Sequence, residues 1–108
     1  MDKDKSINEM RILEQNLQNL FMQKQAFQME LDETQSALNE IEKSEDEIFK
    51  VIGQLMIKTE KLKVKKELSD KEKILSLRVK AIEKQENLIT SKLDKLREEV
   101  MKSLNSQI

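Results

Sequence analysis

The run KLKVKKEL, from Lys61 to Leu68, sets four lysines within eight residues. Such a run can neutralise the phosphates of a nucleic-acid backbone. No aromatic side chain interleaves it to stack on bases, no arginine accompanies it, and the whole chain carries a net charge of −1. A solvated connector, or an acidic protein partner, fits the run better. Carboxylates are the other abundant reactive group, 21 in 108 residues, but histidine and cysteine are absent. Without them there is no base that titrates near neutrality, no thiol nucleophile, no disulfide and no soft metal ligand. The single glycine cannot build a phosphate-cradling loop. On long helices the carboxylates are solvated faces. The residue types argue against an enzyme: no catalytic residue, metal or cofactor is expected.

Two further charges, Lys24 and Glu86, matter because of where they fall. Steps of three and four from Met10 give Met10, Leu13, Leu17, Leu20, Lys24, Phe27, Leu31, Thr34, Leu38 and Ile41, of which eight are apolar. This seven-residue repeat winds helices into a left-handed coiled coil. The repeat predicts a first helix from about residue 6 to about 43, on the order of 50 Å long at 1.5 Å per residue. Leu75, Val79, Ile82, Glu86, Ile89, Leu93, Leu96 and Val100 form a second such line, with Leu104 close to continuing it. SDKE, Ser69 to Glu72, reads as a capping box. It predicts a second helix over about 70–104, preceded by a connector that includes TEKLKVKKEL and has room for a helical turn.

Between the helices lies IFKVIGQLMIK, Ile48 to Lys58, the most apolar and β-branched run in the chain, centred on Gly53. Its composition predicts a tight hairpin of two short strands over about 47–59. A lone hairpin is marginal in water, because it covers neither its own apolar face nor its edges. Something else must cover it.

A hairpin reverses the chain, so the helices pack antiparallel within one molecule. Charge supports this: residues 1–47 hold 12 acidic and 5 basic side chains, and residues 48–108 hold 9 and 15, balances of −7 and +6. Pairing positions whose numbers sum to about 110 sets Met10 against Val100, Leu17 against Leu93, Leu31 against Val79, and Lys24 against Glu86. A slide of one heptad would leave both charges facing apolar side chains. The pair Lys24 and Glu86 is therefore expected to fix the register; the bland alternative is that each snorkels separately to solvent.

The same register gathers Ile7, Met10, Leu13, Val100, Met101, Leu104 and Ile108 at one end of the coil. Methionine adapts its shape to varied apolar surfaces, which suits promiscuous binding. Ordinary apolar residues at fraying helix ends would look the same. Met22 and Met29, beside the first seam, read as packing filler.

Long helix, hairpin, long helix, with Ile48, Phe49, Lys50, Gly53, Leu55 and Ile57 in the hairpin, resembles the prefoldin family, specifically its beta-type subunit as found in archaea. QKQAFQMELDETQSALNEI resembles the later part of the family's first helix and LSLRVKAIEKQENL its second, so the likeness spans nearly the whole chain. Alpha-type subunits carry two hairpins, and there is room here for one. The resemblance implies a mainly α fold, an antiparallel intrachain coiled coil whose central β-hairpin joins an oligomeric β-barrel. Ile48, Phe49, Val51, Gly53, Leu55 and Ile57 would be its oligomerisation residues. It implies a heterohexamer with an alpha-type subunit and other beta copies. Such a hexamer is a cytoplasmic, ATP-independent co-chaperone that binds unfolded clients and delivers them to a group II chaperonin. The client-binding tip would be Ile7, Met10, Leu13, Val100, Met101 and Leu104. Beyond that tip the chain is expected to end without the polar tail of some relatives. No cofactor, nucleic acid or membrane partner is implied; no stretch approaches the ~20 apolar residues of a membrane span, and a soluble, intracellular chain is expected. The main rival is a structural coiled-coil scaffold or tether without chaperone activity, and a third option is an enzyme regulator bound through an amphipathic helix.

Overall fold

The computed structural model describes residues 3–106. Its elements run α1 (Lys3–Lys43), β1 (Ile48–Ile52), β2 (Leu55–Thr59) and α2 (Lys61–Ser106). Two long helices thus flank a two-stranded antiparallel hairpin.

α1 runs 41 residues without glycine or proline to interrupt it. Every position on its three-and-four line is withdrawn from solvent: Leu31 and Thr34 are buried and the other eight half-buried, Lys24 included. Thr34 tolerates burial because its hydroxyl donates to the Glu30 carbonyl at 2.8 Å, one turn back. The helix closes on the Ser44 amide, which donates to the carbonyls of Glu40 (3.0 Å) and Ile41 (3.3 Å).

β1 and β2 pair from Ile48 opposite Thr59 to Ile52 opposite Leu55. That register leaves Gly53 and Gln54 as a two-residue turn. Gly53 has φ +61°, and among the described residues no other residue type has positive φ. Glycine first and an ordinary residue second is the type II′ pattern, whose twist matches that of paired strands. A Cβ added at Gly53 would meet nothing within 4 Å. Gly53→Ala is therefore expected to cost about 1–3 kcal/mol from the backbone alone, seen as hairpin amides that exchange faster while those of the helices do not. Equal loss of protection throughout would point to a role beyond the turn.

α2 begins at Lys61, not near residue 70, and Glu60 alone separates it from β2. The expected connector is helix. Lysine, leucine and glutamate are strong helix formers, and the Val64 amide already donates to the Glu60 carbonyl at 3.1 Å. The SDKE box lies inside the helix, where the preceding turn already supplies acceptors for its amides. Lys65, Leu68 and Glu72, all half-buried, carry the line of three and four back from Leu75. Downstream, Leu75, Val79, Ile82 and Leu93 are buried, with Leu75 and Leu93 each 2% exposed. Past Val100 the line passes through half-buried Ser103 rather than Leu104, which is 37% exposed.

The chain divides into two compact units. One combines the residues up to Gln25 with those from Val79 onward; the other is Ala26–Arg78 and contains the hairpin. In the first unit the core is Val79, Ile82 and Leu93 with half-buried Leu13, Leu17, Leu20, Ile89 and Leu96. In the second it is Leu31 and Leu75 with half-buried Phe27, Leu38, Ile41 and Leu68.

Candidate functional site

In the hairpin, strand alternation puts Phe49 and Val51 on one face with Met56 and Lys58, and Ile48, Lys50 and Ile52 on the other with Leu55, Ile57 and Thr59. Both faces are therefore apolar. Ile48 is half-buried, but Phe49, Val51, Leu55 and Ile57 are exposed, at 47%, 66%, 66% and 46%. So are Ile52 and Met56, which belong to the same surface although the expected set omitted them. Met56, directly opposite Val51, is the most exposed apolar residue of the hairpin at 72%. Its place in an alternating strand is the signal that could have found it.

The six expected tip residues all belong to the first unit. Ile7, Met101 and Leu104 are exposed, whereas Met10, Leu13 and Val100 are half-buried along the seam. Ile108 lies outside the described residues. An open groove of about 420 Å³ runs beside Leu13, lined also by Ile12, Leu96, Glu9, Lys92 and Lys95. Ile12 and Leu96 widen the apolar surface beyond the expected set. Ile12 falls off the heptad line, and an apolar residue off that line is itself a hint of a second use.

Lys24 Nζ lies 2.7 Å from Glu86 Oε1, both side chains largely withdrawn from solvent, and 5.7 Å from the centroid of the Phe21 ring. Across the helices of the same unit, Arg97 also reaches Glu14 at 3.2 Å. The lysine run has a definite use too. Lys65 Nζ sits 2.7 Å from Glu42 Oε1, and Lys61 Nζ donates to the Ser44 carbonyl at 3.0 Å. Hydrogen bonding from Lys65 and its positive charge, with Lys61 adding to it, hold the Glu42 carboxyl below the usual carboxylate range. A carboxyl held down on folding contributes stability above its unfolded pKa and loses that contribution as pH falls through the folded one. Glu42→Gln is thus expected to melt slightly below the parent chain near neutrality and together with it well below the carboxylate range. A gap that persists in acid would mean lost packing instead of lost charge.

Among the described residues no carboxylates gather as a possible metal site, and no helix is long and apolar enough to cross a membrane. The geometry offers surfaces for other proteins: a two-faced apolar hairpin and an apolar set at the helix ends.

A sequence model described as Prefoldin subunit matches residues 4–107. The chain belongs to the prefoldin family. The crystal structure of the prefoldin beta subunit from Thermococcus strain KS-1 is similar to it with a TM-score of 0.89 and 34% identity, over 94% of this chain and 91% of that one. The prefoldin beta2 subunit from the same strain is similar in fold, with a TM-score of 0.73 and 20% identity, over 82% of this chain and 97% of that one. No curated protein sequence matches significantly.

Family membership supports a chaperone-type, non-enzymatic role and, for a prefoldin subunit, assembly with other subunits. In that setting an intrachain coiled coil must hold one register, since a slipped coil would offset its two ends. Reversing one charge, by Lys24→Glu or Glu86→Lys, sets like charges face to face. We expect each to cost about 2–3 kcal/mol, and the double reversal to recover most of it, as measured by thermal unfolding followed by circular dichroism. A double reversal as damaged as the two singles together would remove the pair from the account of register.

Proposed function

We propose that this prefoldin chain is a beta-type subunit of a heterohexameric, ATP-independent co-chaperone. Together with an alpha-type subunit and further beta copies it builds a β-barrel body from its hairpin. It holds non-native polypeptides at the apolar ends of its coil and passes them to a group II chaperonin in the cytoplasm. One observation carries this reading: the hairpin is apolar on both faces and has two open edges, in a chain of the prefoldin family. Such a surface is stable only when covered, and neighbouring hairpins that close the sheet remove face and edge together.

At the coil ends, Ile7, Met101 and Leu104 offer exposed apolar contacts beside the groove at Ile12 and Leu13. Each contact is weak. Several copies acting on one client hold it by effective concentration, so that capture and release need no nucleotide.

Two measurements test the proposal. Light scattering should give a hexamer mass when the chain is mixed with an alpha-type subunit. The mixture should then suppress aggregation of a chemically denatured protein equally with and without ATP, and a group II chaperonin should draw the client away. A chain that stays alone beside the alpha-type subunit, or a hexamer that leaves aggregation unchanged, favours the tether reading instead.

A further inference from the structure

Apart from half-buried Ile48, the hairpin's apolar side chains face solvent, so they do little to tie it to the helices. It joins α1 through residues 44–47 and α2 through Glu60. Charged and polar contacts hold this junction. Lys61 Nζ, in the first turn of α2, donates to the carbonyl of Ser44 at 3.0 Å and reaches that of Glu42 at 3.5 Å. One turn on, Lys65 Nζ lies 2.7 Å from the Glu42 carboxylate. Lys50 of β1 reaches Glu67 of α2 at 3.2 Å. All of these groups lie in the Ala26–Arg78 unit.

A helix ends in unpaired carbonyls and partial negative charge, and an ammonium placed there satisfies both. Lys61 does this from the other helix rather than from α1 itself. We infer that Lys61 and Lys65 are positioning residues: from α2 they grip the carbonyl end of α1 and set the direction in which the hairpin leaves the coil. The inference rests on the proposal that the hairpin is the assembly surface. A hairpin already aimed loses less freedom on joining its neighbours, which strengthens assembly without adding a contact to the interface. The lysine run is then an internal latch. Its grip is an exposed ion pair together with an ammonium-to-carbonyl hydrogen bond, so salt loosens it: the screening length falls to about 3 Å at 1 M salt.

The chain has no cysteine, so Met56→Cys and Leu77→Cys, at exposed positions on the hairpin and α2, can carry a pair of spin labels. Pulsed dipolar spectroscopy on the labelled chain should give a narrow distance distribution at low salt and a broad one at high salt. Lys61→Ala with Lys65→Ala should be broad at both; Lys61→Arg with Lys65→Arg should stay narrow at low salt. Without labels, the alanine pair should bind an alpha-type subunit about tenfold more weakly, as one exposed ion pair and one charge-assisted hydrogen bond allow, at unchanged helicity. A distribution indifferent to salt and to the alanine pair overturns the inference, and so does broadening with no loss of affinity. If the alanine variant loses helicity, the salt titration of the parent labelled chain decides alone. The label distances do not depend on assembly, so failure of the assembly proposal, seen as no binding by the parent chain, remains distinguishable.

Discussion

Val51→Lys combined with Met56→Lys is expected to yield a chain that keeps both helices and no longer assembles. The two residues face each other across the hairpin and are 66% and 72% exposed. Neither lies on a helix seam, so the helical signal by circular dichroism should not change. Burying each native side chain in a neighbour's sheet contributes about 1.5–3 kcal/mol, and burying an unpaired ammonium in its place costs several more. The dissociation constant should rise at least ~10³-fold, since each 1.4 kcal/mol is a factor of ten. Sedimentation of the variant with an alpha-type subunit should show the free chain where the parent sediments as a hexamer. Assembly at parental affinity would mean that the hairpin is covered by something other than sister hairpins, and the β-barrel body would have to be abandoned.

Removing residues 1–14 and 100–108 is expected to abolish suppression of client aggregation while leaving assembly intact. These segments carry the exposed Ile7 and Met101, the exposed Leu104, and Ile12 and Leu13 of the open groove. They also carry half-buried seam residues, Met10 and Val100 among them. The truncation therefore shortens the coil as well as removing its contacts. Ile7→Ser with Met101→Ser and Leu104→Ser separates the two effects, because it spares the half-buried positions. Each substitution weakens one contact modestly, but a client held at several copies at once loses affinity multiplicatively, roughly 10²-fold or more in total. Aggregation of a denatured protein, followed by turbidity at rising hexamer concentration, reads that loss. A serine variant that protects as well as the parent chain would make these residues structural, and a truncated chain that fails to assemble would say the same of the coil ends.

The two predictions act on surfaces that differ in how plainly the sequence displays them. The hairpin is a local object. Gly53 followed by Gln54 between alternating apolar runs leaves the backbone one economical turn, and the positive φ of Gly53 follows from that. The seams are local too: each position on the line from Met10 to Ile41 is withdrawn from solvent because the 3.5-residue repeat fixes one face whatever the partner. Even the pairing of Lys24 with Glu86 is implied by sequence, since the lines Met10 to Ile41 and Leu75 to Val100 hold one charge each and one antiparallel offset brings the charges together.

The start of α2 was not legible in this way. Ser69 and Glu72 form a capping box on paper, but a cap matters only where an amide lacks a partner, and whether it does depends on the eight residues before it. Those residues are helical, and Lys61 and Lys65 among them meet the end of α1, a segment some 17–23 positions away in sequence. No short-range pattern reports that encounter. The groove at the tip has the same origin, since Ile12 and Leu13 of α1 meet Leu96, Lys92 and Lys95 of α2 there. Met10, Leu13 and Val100, by contrast, are half-buried because they stand on the seam lines, and Ile7, Met101 and Leu104 are exposed because they stand off them. Sequence alone determined the periodic faces, the turn and the charge offset, because each arises from the geometry of a single element or a single pair of lines. Tertiary structure decided where the second helix begins, which lysines close on the first helix and which side chains line the groove at the tip, because each of these depends on side chains distant in the chain meeting at one place.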